Sequence, residues 1–134
     1  MKIKIDSDGF PPTRATEGSA GYDLRASKEV ALAAGRREKV HTGVYVSIPA
    51  GYEGQIRGRS GLALRGISAH VGTIDSDYRG EICVIMESST FDLIKRGQRI
   101  AQLVVAPVIT PELEVVDELP ITERGDGGFG STGE

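Results

Sequence analysis

Short runs of alternating apolar and polar residues, each closed by a turn signal, constrain the fold of this chain more than any other feature. Val44, Val46 and Ile48 alternate with Tyr45 and Ser47. Turn-forming glycines or prolines recur at short intervals, at residues 34–35, 49–51, 65–66, 79–80, 96–97, 107 and 111. Glycine fills 18 of the 134 positions, about twice the usual share of roughly 7%. Several short strands at this spacing predict an all-β sandwich or barrel.

Helical periodicity is scarce. Ser60–Leu64 is predicted to form one short helical turn with Ser60 as its N-cap, and residues 91–95 another. Residues 82–86 are apolar at both parities, which predicts a strand buried on both faces. Residues 113–116 are expected to be extended. Neither an internal repeat nor a linker divides the chain, so we expect one domain.

The net charge and the cysteine count exclude several classes of function. The formal net charge is -3 and there is no basic block, so we expect no binding to a nucleic-acid polymer, which needs a basic surface. Cys83 is the only cysteine, which rules out an intrachain disulfide and favours a reducing compartment. Residues 1–6 do not resemble a signal peptide, and no apolar run approaches the ~20 residues of a membrane helix. We therefore expect a cytoplasmic protein without a membrane partner.

The composition becomes polar and glycine-rich from Ile121 onward. We therefore predict a β domain over residues 1–121 and a mobile C-terminal arm over residues 122–134. The spacing of Gly125, Gly127 and Gly130 matches the dinucleotide-binding fingerprint, but that motif needs a strand before it and a helix after it, so it is excluded here. A Walker-type phosphate loop is also excluded, because it ends in Gly-Lys-Ser/Thr and the last lysine of this chain is Lys95. The arm is expected to close over a phosphorylated ligand that is bound elsewhere.

Five segments carry most of the chemically informative residues. In chain order they read AGYDL at residues 20–24, RSGLA at 59–63, GTIDSDYRG at 72–80, GQRIAQ at 97–102 and RGDGGFGSTG at 124–133. In order and spacing they resemble the five motifs of the trimeric dUTP pyrophosphatases (dUTPases). The resemblance implies a jelly-roll-like homotrimer that hydrolyses dUTP with Mg²⁺, in sites shared between subunits. It also implies that the enzyme keeps dUTP low and supplies dUMP for thymidylate synthesis.

The third segment contains the expected catalytic residue. Asp75 lies in a turn-rich stretch before the strand that is predicted to be buried, and a carboxylate there can orient a water and accept its proton. The resemblance assigns Asp75 this role, and the nearby Asp77 is interpreted as a turn residue. By resemblance, the Tyr78 ring packs on the deoxyribose and excludes a 2′-hydroxyl, and the backbone around Gly72 and Ile74 recognises uracil.

The second and fourth segments are expected to bind phosphate. Arg59 supplies a guanidinium beside Ser60 and Gly61, a combination that suits phosphate oxygens. The family pattern favours Gln102 over Gln98 as the amide donor to the same phosphate chain. In the first segment, Asp23 is implied to hold a water of the Mg²⁺ shell, while the metal itself is bound mainly by the triphosphate. The spacing of His41, His70 and Cys83 does not form a zinc-ligand motif.

The arm is expected to complete the site. By resemblance, Arg124 clamps the γ-phosphate and Phe129 stacks on uracil. The remaining arm residues are expected to supply backbone or hydroxyl donors, or the flexibility to reach the ligand; they are Gly128, Gly130, Ser131 and Thr132. Closure of the arm would exclude bulk water from the reaction.

The chain departs from the family pattern at Gly58, where proline is common, at His70, and at Glu87 and Ser88, where an aromatic residue and asparagine are frequent. A sister family, the dCTP deaminases, has the same fold and uses a glutamate on the strand after the aspartate motif. That position is Ile85 here, and Glu87 lies two residues later on the same face. A deaminase or bifunctional enzyme and a non-catalytic regulator therefore remain alternatives to the favoured dUTPase.

Overall fold

The computed structural model describes residues 1–131 and 133. Within these residues the chain forms ten strands and one short helix: β1 (Lys2–Ile5), β2 (Tyr22–Arg25), β3 (Val30–Leu32), β4 (Arg37–Ser47), β5 (Tyr52–Arg57), α1 (Ser60–Leu64), β6 (Ile67–Ala69), β7 (Gly72–Ile74), β8 (Ile82–Ser88), β9 (Asp92–Ile94) and β10 (Arg99–Pro107). The all-β prediction is confirmed. In the part of the chain that the structure describes, no helix is long and apolar enough to cross a membrane.

Two four-stranded antiparallel sheets and one strand pair form a jelly-roll-like domain. The sheet orders are β1-β4-β8-β6, β2-β10-β5-β7 and β3-β9. Each strand turns alternate side chains inward, so both large sheets contribute to one apolar core. Its fully buried members include Leu24 and Leu103 from one sheet and Val44, Val84 and Met86 from the other.

Three local predictions were wrong, and a fourth segment that is predicted to be extended forms no strand. The N-cap of α1 is Arg59 and makes no side-chain capping bond, so Ser60 is the first helical residue. Residues 91–95 contain the strand β9 instead of a helical turn, because Asp92–Ile94 pairs with β3. On β8 one face is buried, whereas Ile85 on the other face is 39% exposed and Cys83 is half-buried. Residues 113–116 belong to no strand in this chain.

The ordered strands end earlier than the composition indicates. β10 ends at Pro107, and every residue from 107 to 126 is exposed. Apolar residues in this stretch are almost completely accessible, with Leu113 at 94% and Val115 at 99%. The last strand therefore ends about fourteen residues before the composition changes at Ile121.

A hydrogen bond between Tyr45 on β4 and Asp6, the residue after β1, leads to a prediction at alkaline pH. The Tyr45 hydroxyl donates to Asp6 Oδ2 at 3.1 Å, and this bond to a carboxylate raises the pKa of Tyr45 above its ordinary 10.0. The stabilisation is therefore fully present below pH 10.0 and is lost as the pH rises through the folded-state pKa. We expect Tyr45→Phe to be less stable than wild type at neutral pH and to lose less stability on alkaline titration. Thermal melts at a series of pH values measure this. An equal loss of stability in wild type and Tyr45→Phe at alkaline pH would contradict the prediction.

Candidate active site

The site expected around Asp75 is an open pocket of about 290 Å³ between β7 and the start of β8. Its walls are formed by residues of β7, of the turn that follows, and of β4, β5 and β8: Lys39, Ile56, Gly72, Thr73, Ile74, Asp75, Tyr78, Glu81, Ile82 and Cys83. The structure thus brings together Gly72, Ile74, Asp75 and Tyr78, four residues that the sequence assigns to one site.

Two strand edges in this pocket lack backbone partners within the described chain. β7 is the outermost strand of its sheet and pairs only with β5. β8 pairs with β4 along its length, but β6 reaches its other side only from Met86 onward, with one further bond from His70 N to Ile85 O. The part of β8 that lines the pocket, Ile82 and Cys83, therefore has no strand on its second side within the described chain. Such edges bind ligands that present complementary polar groups.

Asp75 is the exposed carboxylate of the pocket. It directly follows β7, and its carbonyl accepts a hydrogen bond from Tyr78 N at 3.1 Å, which closes the turn. Arg79 Nη1 donates to Ser76 O at 2.6 Å and to Tyr78 O at 3.0 Å, which stabilises that turn. No hydrogen bond or ion pair from another described residue engages the Asp75 side chain. Asp77 does not line the pocket.

Tyr78 is held at the rim of the pocket by its hydroxyl, which donates to Glu81 O at 2.9 Å. The ring lies over Gly80, where an added Cβ would come within 2.8 Å of ring Cε1 and closer still to the hydroxyl end. Sequence reasoning interpreted Gly80 only as a turn signal. Its further role, leaving room for the tyrosine ring, depends on a contact that spacing alone does not reveal.

Glu81 adds negative charge to the pocket wall. Burial raises the pKa of its carboxyl, but hydrogen bonds from His41 and the Gly43 N–H outweigh burial and hold that pKa below its ordinary value. His41 Nδ1 lies 2.8 Å from Glu81 Oε2, and Gly43 N donates to Glu81 Oε1 at 2.9 Å. Glu81 is therefore ionised at neutral pH. Neither Glu81 nor His41 was among the residues assigned to the site from the sequence.

The predicted phosphate-binding residues lie in a second region. Gly58, Arg59 and Ser60 line a separate hollow of about 300 Å³, and Arg59 Nη1 donates to Arg99 O at 3.3 Å, which anchors the guanidinium to β10. Gln102 on β10 stands opposite Asp23 on β2. A Cβ at Gly21 would approach Gln102 Oε1 to 2.5 Å, so this glycine makes room for the amide. None of these residues lines the Asp75 pocket.

The arm contains the third set of residues that the sequence assigns to the site. Arg124 Nε donates to Gly127 O at 2.8 Å, and residues 123–124 and 127–131 enclose a hollow of about 860 Å³ of their own. Phe129 is fully exposed and has a φ of 51°, an uncommon conformation for a bulky residue. Thr132, which the sequence also assigns to the site, lies outside the described residues. One chain therefore presents three separate parts of the predicted site.

The residues around Asp23 fit an indirect role toward Mg²⁺. Asp23 Oδ2 lies 3.4 Å from Arg99 Nη1, and the Asp23 side chain is 17% exposed. A carboxylate that is already paired with a guanidinium is a poor direct ligand, but it can accept a hydrogen bond from a metal-bound water. The oxygen donors here, Asp23 and the Gln102 amide, suit a hard cation that keeps most of its waters.

The fold is that of a class of nucleotide hydrolases. The structure superposes with a TM-score of 0.92 on a mutant dUTPase of Staphylococcus bacteriophage 80alpha with dUpNHpp, at 29% identity over 99% of this chain and 98% of that one. It superposes with a TM-score of 0.83 on a mutant dUTPase from phage phi11 of S. aureus, described with a structural Mg(II) ion, at 26% identity over 87% and 96%.

Sequence comparison identifies the family. The dUTPase family model matches residues 9–133. The chain is 52% identical over 130 residues to the deoxyuridine 5'-triphosphate nucleotidohydrolase of Anaeromyxobacter sp. (strain Fw109-5), which covers 91% of this chain and 86% of that protein. It is 46% identical to the same enzyme from Paramecium bursaria Chlorella virus 1, over 97% and 94%. The chain is therefore an enzyme of the dUTPase family.

Proposed function

We propose that the protein hydrolyses dUTP to dUMP and pyrophosphate. The observation that supports this best is the Asp75 pocket, in which one accessible carboxylate stands beside two strand edges with free backbone groups. Uracil presents an acceptor, a donor and an acceptor along one edge, which such backbone groups can match without any polar side chain. In the cell this activity would keep dUTP low and supply dUMP for thymidylate synthesis.

Asp75 activates the attacking water in this mechanism. Its carboxylate accepts a proton while the water oxygen forms a bond to the α-phosphorus. The bond between that phosphorus and the α,β-bridging oxygen breaks, and its electron pair leaves with pyrophosphate. Asp75 carries no competing hydrogen bond in the described chain, so it is available to the water.

Tyr78 and the backbone of β7 would select the nucleoside. Gly72 and Ile74 place backbone groups at the pocket, and close approach of a bound base to this edge would leave no space for the 5-methyl group of thymine. The Tyr78 ring, fixed through Glu81 O, would pack on the deoxyribose and exclude a 2′-hydroxyl by contact.

The phosphate-binding residues would come from neighbouring subunits of a homotrimer. In one chain Arg59, Ser60 and Gln102 stand apart from the Asp75 pocket, so a single chain does not complete the site. The exposed apolar residues between β10 and the arm also need a covering surface. They include Ile109, Leu113, Val115, Leu119 and Ile121. A neighbouring subunit supplies both needs, and this supports trimeric assembly.

Arg59, Ser60 and Gln102 would donate to the phosphate chain, with Gly61 leaving the backbone accessible. Arg124 would clamp the γ-phosphate, and Gly128, Phe129, Gly130 and Ser131 would close over the nucleotide, with Phe129 on the base. Asp23 would hold a water of the Mg²⁺ shell. Bound to the triphosphate, Mg²⁺ would offset the negative charge that develops on its oxygens.

Glu87 gives little support to the deaminase alternative. It does not line the Asp75 pocket, and its Oε2 lies 3.4 Å from Arg37 Nε and 3.7 Å from His70 Nε2. A second alternative is regulation through protein contacts. Phage dUTPases, with that of Staphylococcus bacteriophage 80alpha as the example, are described as controlling transfer of virulence genes by a proto-oncogenic G protein-like mechanism. The accessible Asp75 carboxylate favours retained catalysis.

One assay separates the three functions. The protein is incubated with Mg²⁺ and each deoxynucleoside triphosphate in turn, and pyrophosphate and ammonia are measured. Pyrophosphate from dUTP alone is the expected result. Ammonia from dCTP would support the deaminase, and the absence of any dUTP turnover would overturn the proposal.

Gly80→Ala tests the placement of Tyr78. The new methyl group would displace the ring, which can swing at little cost to the fold because its far end is the part that collides. We expect kcat/KM for dUTP to fall by about 10²-fold. The ratio of kcat/KM for dUTP to kcat/KM for UTP should also decrease. Gly18→Ala is the matched control, since no atom lies within 4 Å of its added Cβ and no φ between +20° and +160° marks this glycine. Equal kinetics for the two variants would contradict the role of Gly80.

A further inference from the structure

Three side chains that the proposed hydrolysis does not use converge at one side of the Asp75 pocket. His41 on β4 and Cys83 on β8 are direct cross-strand partners, and Glu81 precedes Cys83 by two residues on the same face. One ligand atom from each lies within 4.8 Å of the other two. The spacing along the chain does not reveal this cluster, because strand pairing joins residues forty-two positions apart.

The distances match those expected around a shared metal ion. In a tetrahedral zinc site with N at ~2.0 Å and S at ~2.3 Å from the metal, the nitrogen and sulfur are about 3.5 Å apart. Cys83 Sγ lies 3.6 Å from His41 Nδ1. His41 Nδ1 and Glu81 Oε2 are 2.8 Å apart, so these two atoms need to separate by only about half an ångström to reach tetrahedral spacing.

The surrounding backbone holds the three groups in place. Gly43 N donates to Glu81 Oε1 at 2.9 Å, so the second carboxylate oxygen already has the kind of outer partner that orients metal ligands. Gly43 has a φ of 68° and lies in the β4 bulge between His41 and Val44. Thr42 Oγ1 donates to Ile82 O at 2.6 Å, which ties the two strands together at this point.

The cluster has both an entry path and suitable chemistry. Glu81 and Cys83 form part of the pocket wall, and the His41 side chain is 40% exposed. Burial raises the pKa of the Cys83 thiol, and the charge of Glu81 adds to this effect, whereas Lys39 partly offsets it. Cys83 is therefore a neutral thiol without a metal, and a binding cation must displace its proton.

We propose that His41, Glu81 and Cys83 form a binding site for a soft divalent transition-metal ion such as Zn²⁺, with one coordination position open to the pocket. Imidazole and thiolate ligands select zinc-like ions over Mg²⁺. Within one chain this site is also distinct from Asp23, the residue proposed to hold a water of the Mg²⁺ shell, which lies on the other sheet. On binding, a metal–sulfur bond forms and the thiol proton is released to solvent.

Cobalt(II) titration of the full-length reduced protein tests the site without any nucleotide. Because Cys83 is the only cysteine, a thiolate-to-cobalt charge-transfer band in the near ultraviolet can arise from this residue alone. We expect a band that saturates at one Co²⁺ per chain in the presence of excess Mg²⁺ and that disappears when Zn²⁺ is added. No band at saturating Co²⁺ would overturn the proposal, whether or not the protein hydrolyses dUTP.

Variants extend the test, with Zn²⁺ affinity measured by competition with a chromophoric chelator. Cys83→Ser and His41→Gln should each weaken Zn²⁺ binding by more than the roughly 10- to 100-fold that loss of an outer partner costs. His70→Gln is the matched control, because it removes the only other histidine and should leave Zn²⁺ affinity unchanged. Equal losses of Zn²⁺ affinity in all three variants, or no loss in Cys83→Ser and His41→Gln, would contradict the site.

A measurement on the wild-type protein covers the case in which a variant does not fold. Zn²⁺ should slow the reaction of the Cys83 thiol with a disulfide reagent, and an unchanged rate would contradict the site.

Discussion

Asp75→Asn is expected to abolish most turnover of dUTP while leaving nucleotide binding intact. The amide has nearly the shape of the carboxylate but cannot accept a proton from water, so kcat should fall by about 10²- to 10⁴-fold. The Asp75 side chain is exposed and has no partner in the described chain, so the free energy of unfolding should hardly change. Pyrophosphate release measures kcat, and calorimetry with the non-hydrolysable analogue dUpNHpp measures binding.

Asp77→Asn provides the matched control for this experiment. Asp77 is an exposed carboxylate two residues away, and it does not line the pocket. It should retain near wild-type kinetics. A wild-type rate in Asp75→Asn would remove Asp75 from the role of base, and an equal loss in Asp77→Asn would show that the turn, and not one carboxylate, is being disturbed.

The fold class follows from the sequence because alternation and turn residues are local properties. The features that the sequence did not predict depend on which distant strands pair and pack together. The sequence predicts a helical turn at residues 91–95, but β3 offers a partner, so Asp92–Ile94 forms a strand instead. Ile85 is as apolar as its neighbours, yet only the core-facing side of β8 is covered within one chain.

The site could be predicted only in part for the same reason. Gly72, Ile74, Asp75 and Tyr78 are close in sequence, and the structure keeps them in one pocket. The predicted phosphate residues come from other segments, and no local rule states that they lie apart from Asp75 in one chain. The pairing of His41 with Cys83 depends on the β4 bulge, whose position the sequence pattern does not specify.

Deletion of residues 124–134 is expected to leave the β domain and its assembly intact. The hydrogen bonds of Arg124, Gly125, Gly127 and Ser131 run to other residues of the arm, between positions 122 and 131. Residues 107–126 are all exposed, and none of the described arm residues belongs to the core. The free energy of unfolding should therefore change by less than about 0.5 kcal/mol. Thermal melts and light scattering measure stability and subunit number.

Catalysis should fall steeply in the same truncated protein, because the deletion removes Arg124, the only cationic residue of the arm and the proposed clamp on the γ-phosphate. An arginine that stabilises a transferring phosphoryl group contributes about 10³- to 10⁵-fold to kcat, and the absence of Phe129 also leaves the base open to water. Arg124→Ala separates these contributions, since it should lose most of kcat while Phe129→Ala mainly raises KM. A truncated protein that unfolds would place the arm in the core, and one that keeps full activity would remove it from the site. The combination of unchanged stability and lost turnover is expected only if the arm acts on the bound nucleotide.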